Sequence, residues 1–369
     1  MTTFSELATP ALVIDVDKLD ANLARMSAKA SDLKVHLRPH IKTHKCIEIG
    51  LRQRDLGSTG ITVSTLHEAA VFADHGFNDI TWAFPLILSR IDEARRLAET
   101  CTLRLVIDSM EALETLEASG APFRVWLKVD CGYHRAGVDP NGELGPDLAQ
   151  RLSSSSVLVF DGILTHSGQS YEVEGSDHLR KVAEQERSIM VAFADRLRAR
   201  GIEVPAVSIG STPAISVVED LDGIDEVRPG NYAFYDGTQA ALGSCQISDC
   251  AVTVIASVVS SPRSATHSVI DAGALALSKD TLPEDKSPSG STPAQMGQIF
   301  GHYDTARMSP SQRLYGLSQE HGLVTGSLPV GSRLRILPNH SCLTVACFDE
   351  FVVVKGTEIV DRWKIWRGR

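Results

Sequence analysis

The chain has 369 residues, 43% of them hydrophobic, and a formal net charge of −10. That length favours two domains and supplies enough apolar side chain for a large core. The acidic balance, without a lysine- or arginine-rich block, argues against nucleic acid and anionic membranes as partners, though not against a local basic pocket for a small anion.

The opening MTTFSELATPALVID lacks a signal peptide's charged and apolar regions, and no later apolar run is long enough to cross a bilayer. ALVIDV (11–16) predicts a strand and DKLDANLARMSAKASDL an amphipathic helix. VHLRPHIK (35–42) predicts the next strand, with a helix over 47–54. GITVSTLHEAAVFADHG, DITWAFPL with SRIDEARRLAE, and LRLVIDS with MEALETLEA repeat the strand–helix unit. FRVWLKVD, VLVFDGILTH and AVSIGS are further strands, the last two separated by a long helix from about 179 to 201. Regular βα repetition means a parallel sheet, and roughly eight units fit a (β/α)8 barrel over residues 15–245. A doubly wound sheet is the alternative, but no GxGxxG follows a strand.

After Cys245 the texture changes. CAVTVIASVVSS, HSVIDAG, RLRILP, LTVACF and EFVVVKGTEIVDRWKIW are β-branched runs with short turns, which predicts a separate all-β domain over 246–369. Ser278–Gln312, rich in Ser, Pro, Gly and Asp, reads as a long excursion or lid. The seven cysteines are scattered, odd in number and free of any CxxC pair, which suggests reduced thiols in a cytoplasm and no structural zinc ribbon.

The stretch HLRPHIKTHK (36–45) raises the first chemical question. In a strand it places His36, Arg38, His40 and Lys42 on one face and Val35, Leu37, Pro39 and Ile41 on the other. Lys42 would then end the polar row at the C-terminal mouth of a barrel, where catalytic groups sit. A lysine held among cations and out of bulk water favours its amine, as a Schiff-base lysine needs. The competing reading is a barrel-end lysine in a salt bridge.

Small-residue turns come late in the barrel region. Backbone amides of Gly210, Ser211 and Thr212 can form an anion nest with hydroxyls adding donors, and PGNY (229–232) offers a second turn. Barrels commonly bind phosphate in the loops of their last two strands. His340 and Cys342 lie two apart in PNHSC; in extended chain both point one way, so one metal can take imidazole and thiolate together.

RPHIKTHK resembles the lysine motif of the D-serine dehydratase and D-threonine aldolase group, which belongs to the alanine-racemase-like fold type of pyridoxal-phosphate (PLP) enzymes. TVSTLHEA, KVDCGYHRAGV, GSTPA, RPGNYAFYD, SQEHG and PNHSC resemble further segments of that group, in its order and over essentially the whole chain. The resemblance implies a PLP barrel and a C-terminal β-domain that the N-terminal strand, residues 1–14, joins. Lys42 would bind PLP covalently and act as base at the substrate α-carbon, and Arg135 would reach the cofactor's phenolic oxygen. Gly210, Ser211, Thr212, Gly230, Asn231 and Tyr232 would meet the phosphate or the ring. Arg228 stands where a histidine is expected in many relatives, so no role carries over there. His166 and Tyr171, in THSGQSY, end a strand that the resemblance places at the active site, with a packed histidine the competing reading. His340 and Cys342 would bind a divalent metal; the cysteine favours zinc and the dehydratase branch, with manganese or magnesium as alternatives. The activity so implied is dehydration of a D-β-hydroxy amino acid (D-serine, D-threonine or D-threo-3-hydroxyaspartate) to keto acid and ammonia, in a homodimer. A retro-aldol lyase, an amino-acid racemase and a non-catalytic PLP carrier are the alternatives.

Overall fold

The computed structural model describes residues 6–173, 175–263, 266–282, 294–356 and 358–369. The chain divides into two compact units, one of Arg25–Gly230 with Gly368–Arg369, the other of Met1–Ala24 with Asn231–Arg367. The crossing points expected at 14/15 and 245/246 fall instead at 24/25 and 230/231. Hydrogen bonds draw these segments into the second unit: Gly237 N–H donates to Pro338 O at 3.0 Å, Thr238 N–H to Asn339 O at 3.1 Å, and Asn22 Nδ2 to Asp249 O at 2.8 Å.

The first strand, β1 (Ala11–Asp15), is buried along its whole length because it is sandwiched in a sheet. Eight strands follow in the first unit: β2 (His36–Leu37), β3 (Ile61–Val63), β4 (Asp79–Pro85), β5 (Thr102–Ile107), β6 (Arg124–Lys128), β7 (Val159–Leu164), β8 (Val207–Ile209) and β9 (Glu226–Val227). They pair in parallel in the order β2-β9-β8-β7-β6-β5-β4-β3. The sheet closes on itself through a parallel bridge from His40 to Thr62, whose N–H donates to Pro39 O at 2.8 Å. This is the expected (β/α)8 barrel.

Its two ends carry different chemistry. Toward the strand starts, ion pairs run from strand to strand. Glu226 holds Arg38 at 2.5 Å, Arg38 holds Asp79 at 2.5 Å, Asp79 holds Arg104, and Arg104 meets Asp161 at 2.8 Å, which also takes Arg124. Arg38 and Glu226 are buried, and removing one member of such a pair costs about 3–5 kcal/mol, so this end is structural. At the strand ends stand Lys128, His166, Gly210, Arg228 and Lys42. In a barrel this is the face that carries chemistry.

In the second unit β1 pairs antiparallel with β10 (Val252–Ser260). The remaining strands are β11 (His267–Ile270), β12 (Gln298–His302), β13 (Arg307–Met308), β14 (Leu314–Leu317), β15 (Gly322–Thr325), β16 (Arg333–Leu337), β17 (Glu350–Lys355) and β18 (Glu358–Lys364). The sheet order is β13-β12-β16-β10-β1-β17-β18, with β11, β15 and β14 attached to β10. Part of the expected excursion, 283–293, lies outside the described residues. The rest contains the β12–β13 hairpin, whose register shift between Phe300 and His302 breaks the alternation that would have marked it. LTVACF, expected as a strand, instead completes the short helix Ser341–Val345 with its first three residues and turns with the rest. Asp236 anchors that helix by accepting from Ser341 N–H at 2.9 Å and Ser341 Oγ at 3.1 Å, a tertiary contact that overrides the β-branched preference.

Candidate active site

The candidate residues divide between the two units. In the barrel, Lys42 is not on a strand. Pairing of β2 stops at Leu37, and Ile41–Thr43 form a single 3-10 turn. The parity argument therefore fails beyond the bridge at His40, although it places the lysine at the correct end of the barrel. Ile41, Thr43 and His44 are fully buried and clamp the turn, while Lys42 stands exposed between them. Arg38 is not its neighbour, because Glu226 and Asp79 hold that guanidinium at the other end. Lys45, just past the turn, pairs with buried Glu68 at 3.2 Å.

The histidines around Lys42 are neutral. Burial first, then the charges of Lys42, His166 and Arg228, hold His40 well below its usual range. Burial and Lys42 do the same to His166, against the hydrogen bond to Gly210 O, 3.2 Å from Nδ1. That carbonyl can only accept, so Nδ1 carries the proton and Nε2 is left as an acceptor. His44 is pushed down to about 4 by burial despite its contacts with Gln53 Oε1 (3.2 Å) and Cys46 N–H (3.1 Å), and serves the turn.

Two residues of this group escaped the sequence reading. Lys128, at the end of β6, is lowered to about 8 by burial and then by Arg228 and Arg135, against Asp108. Tyr133 meets the His166 ring edge-on at 6.5 Å between centroids. The motif KVDCGYHR held both, but in sequence a lysine inside a strand gives no sign of the cations that the other strands bring to it. In cofactor-free protein, folded Lys128 gives up its proton near pH 8 and the unfolded chain near 10.5. The unfolded state binds more protons in that window, so stability rises with pH across it. Lys128→Met is expected to flatten that rise in thermal melts from pH 7.5 to 10.5.

Arg135 is exposed, with its guanidinium 5.1 Å from the Tyr133 ring centroid. Arg228 is buried and donates to Ser208 Oγ and Thr165 O; burial lowers its pKa. At the first small-residue turn, Gly210 N–H is committed to buried Glu186 Oε1 at 3.2 Å, so it is not a free nest donor. Ser211 Oγ is likewise held inside the protein, by Ser170 Oγ at 2.9 Å and as cap of the helix Thr212–Val217. Gly210 is required for its φ of +123°. Thr212 is buried in the same turn. At the second turn a Cβ on Gly230 would stand 2.7 Å from His40 O, so only glycine lets the two loops approach. Tyr171 closes the 3-10 turn Gly168–Tyr171 and is half-buried.

Lys42, Lys128, Arg135 and Arg228 thus gather at one barrel end in a chain that is acidic overall. A phosphate, a phenolate and a carboxylate are the ligands such a cluster accepts, so the donor set fits PLP and an amino acid.

In the second unit, His340 is extended, at φ −135° and ψ 98°, while Cys342 lies in the first turn of the helix Ser341–Val345. The side chains still meet, since a hydrogen bond to Cys342 and one to Asp280 hold the His340 proton. The bend from strand to helix brings them together, not a continuous extended chain. Burial lowers the His340 pKa, but Asp280 and Cys342 outweigh it and raise it to about 11. Asp280 Oδ2 lies 3.0 Å from His340 Nδ1.

Asn231 supports this turn. Its Nδ2 donates to Asp236 Oδ2 at 2.7 Å, to Ser341 Oγ at 3.0 Å and to Cys342 Sγ at 3.6 Å. Its amide nitrogen is therefore taken up beside Cys342, while its buried Oδ1 has no hydrogen-bond partner among the described residues. Tyr232, next to it, is 1% exposed. An imidazole beside a thiol suits a borderline-soft divalent ion, and zinc fits this donor pair. Among the described residues no set of three His, Cys, Asp or Glu is arranged to hold a metal.

Comparison with known proteins adds a consistent set of relatives. Residues 14–237 match the family "Alanine racemase, N-terminal domain", and residues 251–354 match "Putative serine dehydratase domain". The chain is 35% identical to D-threo-3-hydroxyaspartate dehydratase of Delftia sp. strain HT23 over 99% of both chains. It is 33% identical to D-serine dehydratase of Dictyostelium discoideum over 98% of this chain and 97% of the relative. It is 29% identical to D-threonine aldolase of an Arthrobacter species over 97% and 92%. The solved structure of the Delftia dehydratase superposes with a TM-score of 0.92 over 100% of both chains. A cysteine-to-alanine mutant of a D-threo-3-hydroxyaspartate dehydratase in a metal-free form superposes at 0.90, with 34% identity and full coverage of both chains.

Proposed function

Because the chain belongs to the fold type III PLP family that holds the D-serine dehydratases and D-threonine aldolases, we propose that it is a PLP- and zinc-dependent D-β-hydroxy amino acid dehydratase. D-serine, D-threonine and D-threo-3-hydroxyaspartate are its substrate class, and keto acid and ammonia its products. The observation that carries this reading is the imidazole–thiol pair of His340 and Cys342 in a lyase whose barrel mouth presents Lys42 among cations. An aldolase relative is also full-length, but the similarity to the two dehydratases is higher, and the thiol favours zinc.

Bound PLP supplies an electron sink that acidifies the substrate α-carbon, and a bound divalent metal supplies a Lewis acid for the departing hydroxide. Lys42 Nζ would hold the cofactor covalently and, once displaced by the substrate's amine, would be free to take the α-proton, a role its exposed position on a clamped turn permits. Arg135 and Lys128 neutralise anionic groups at the barrel mouth. His166, with its Nδ1 proton fixed by Gly210 O, offers Nε2 as an acceptor to a substrate or cofactor hydroxyl. His340 and Cys342 hold the metal, and Asn231 keeps the thiol in place. Loss of water across Cα–Cβ gives an enamine, which hydrolyses after release to keto acid and ammonia.

The protein incubated with PLP, zinc and a panel of D-3-hydroxy amino acids is expected to yield keto acid with equimolar ammonia. Glycine plus aldehyde would instead identify the aldolase, and loss of optical rotation without either product a racemase.

A further inference from the structure

We propose that Asp280 is the positioning carboxylate of the metal centre: it accepts the Nδ1–H of His340 and so leaves Nε2 as the nitrogen that binds the metal. The inference rests on the reading of His340 and Cys342 as metal ligands and extends it to a residue that no motif signalled.

The geometry is specific. Asp280 Oδ2 lies 3.0 Å from His340 Nδ1 and also accepts from Ser278 Oγ at 3.1 Å. The same residue is tied to its partner a second time through the backbone. Asn339 Nδ2, one residue before His340, donates to Asp280 O at 2.9 Å and to Gln295 O at 2.7 Å. Asn339 is fully buried, so this amide sets the distance between the two segments and aligns the carboxylate with the ring.

An imidazole has two nitrogens, and a carboxylate that keeps the proton on one leaves the other as the nitrogen whose proton a metal displaces. Ligand histidines commonly have their free N–H held in this way, which orients the ring and raises its basicity. The His340 side chain makes no cap hydrogen bond to the helix that follows, so its contact with Asp280 is not a by-product of capping. Cys342 has its own support in Asn231 Nδ2. Asp280 acts through His340 rather than as a third ligand, because no three-ligand set occurs among the described residues.

Zinc affinity, measured by chelator competition on the PLP-loaded protein, separates the possibilities. Wild type is expected to bind zinc, and His340→Ala to lose it. Asp280→Ala is expected to bind about 10–100-fold more weakly, with Asp280→Asn in between because its amide oxygen still accepts. The absorbance of the bound cofactor should stay unchanged in both variants. In zinc-loaded protein labelled with 15N-histidine, long-range 1H–15N correlation should show His340 protonated at Nδ1. Equal affinity in wild type and Asp280→Ala, or a His340 proton on Nε2, overturns the inference while the metal reading stands. Loss of zinc in Asp280→Ala as complete as in His340→Ala makes Asp280 a ligand and overturns it as well. Absence of zinc binding by wild type overturns the metal reading itself.

Discussion

Lys42→Ala is expected to abolish turnover, by about 10^4-fold or more, and to remove the absorbance of lysine-bound cofactor while the fold survives. Proton transfer by a placed side chain contributes about 10²–10⁴-fold, and this lysine also anchors the cofactor, so the loss belongs at or beyond the top of that range. The fold survives because Ile41, Thr43 and His44 clamp the turn from both sides while the Lys42 side chain is exposed. Substitution at such an exposed position changes stability by only about 0.5 kcal/mol. Absorbance spectra and rapid-mixing turnover, with a thermal melt as control, read the three effects separately. Retention of the cofactor band with turnover within tenfold of wild type would transfer the role to another lysine. Lys128 is the one to test then, since its amine is available near pH 8. Lys45 is engaged by Glu68.

Removing the metal should separate the two halves of the chemistry. His340→Ala, Cys342→Ala or exhaustive chelation is expected to lower turnover by about 10³-fold or more and to leave the cofactor band in place. Hydroxide is a poor leaving group, and a Lewis acid on it is worth several kcal/mol, at about 1.4 kcal/mol per factor of ten. On the proposed reading the cofactor's covalent anchor is Lys42, which lies outside the unit that carries His340 and Cys342, so the cofactor band is expected to persist without the metal. Zinc is expected to restore the chelated wild type and not the variants. Full activity after metal analysis shows none bound would remove the metal from the mechanism.

Parts of the site were legible because local chemistry marks them. Alternation in HLRPHIKTHK put a lysine at a barrel mouth, and the family resemblance of PNHSC, more than the HxC spacing, put a metal at His340 and Cys342. Both readings assumed extended backbone where the structure has turns. The strand around Lys42 ends at Leu37, since its only partner there, β9, is two residues long. The His340–Cys342 pair is set by a turn that Asp236 stabilises from about a hundred residues away. At the turn after β8 one of the three expected amides is spent, since Glu186, on the long helix Ser176–Ala199, takes the N–H of Gly210, a partner that sequence could not show.

The order of apolar runs, read alone, settled the parallel barrel followed by β-strands, because period and length are properties of consecutive residues. Strand parity and resemblance to a family, both readable along the chain, put Lys42, His340 and Cys342 forward. Only the tertiary structure decided which cations share the barrel mouth, for Lys128 and Arg135, Arg228 and Lys42 come from the ends of three separate strands, and Arg38, the nearest in sequence to Lys42, was drawn to the opposite end by Glu226 and Asp79. It alone paired Asp280 with His340, sixty positions apart. Charge and hydrogen-bond partners act through space over a few ångströms, and a sequence carries that distance only for neighbours along the chain.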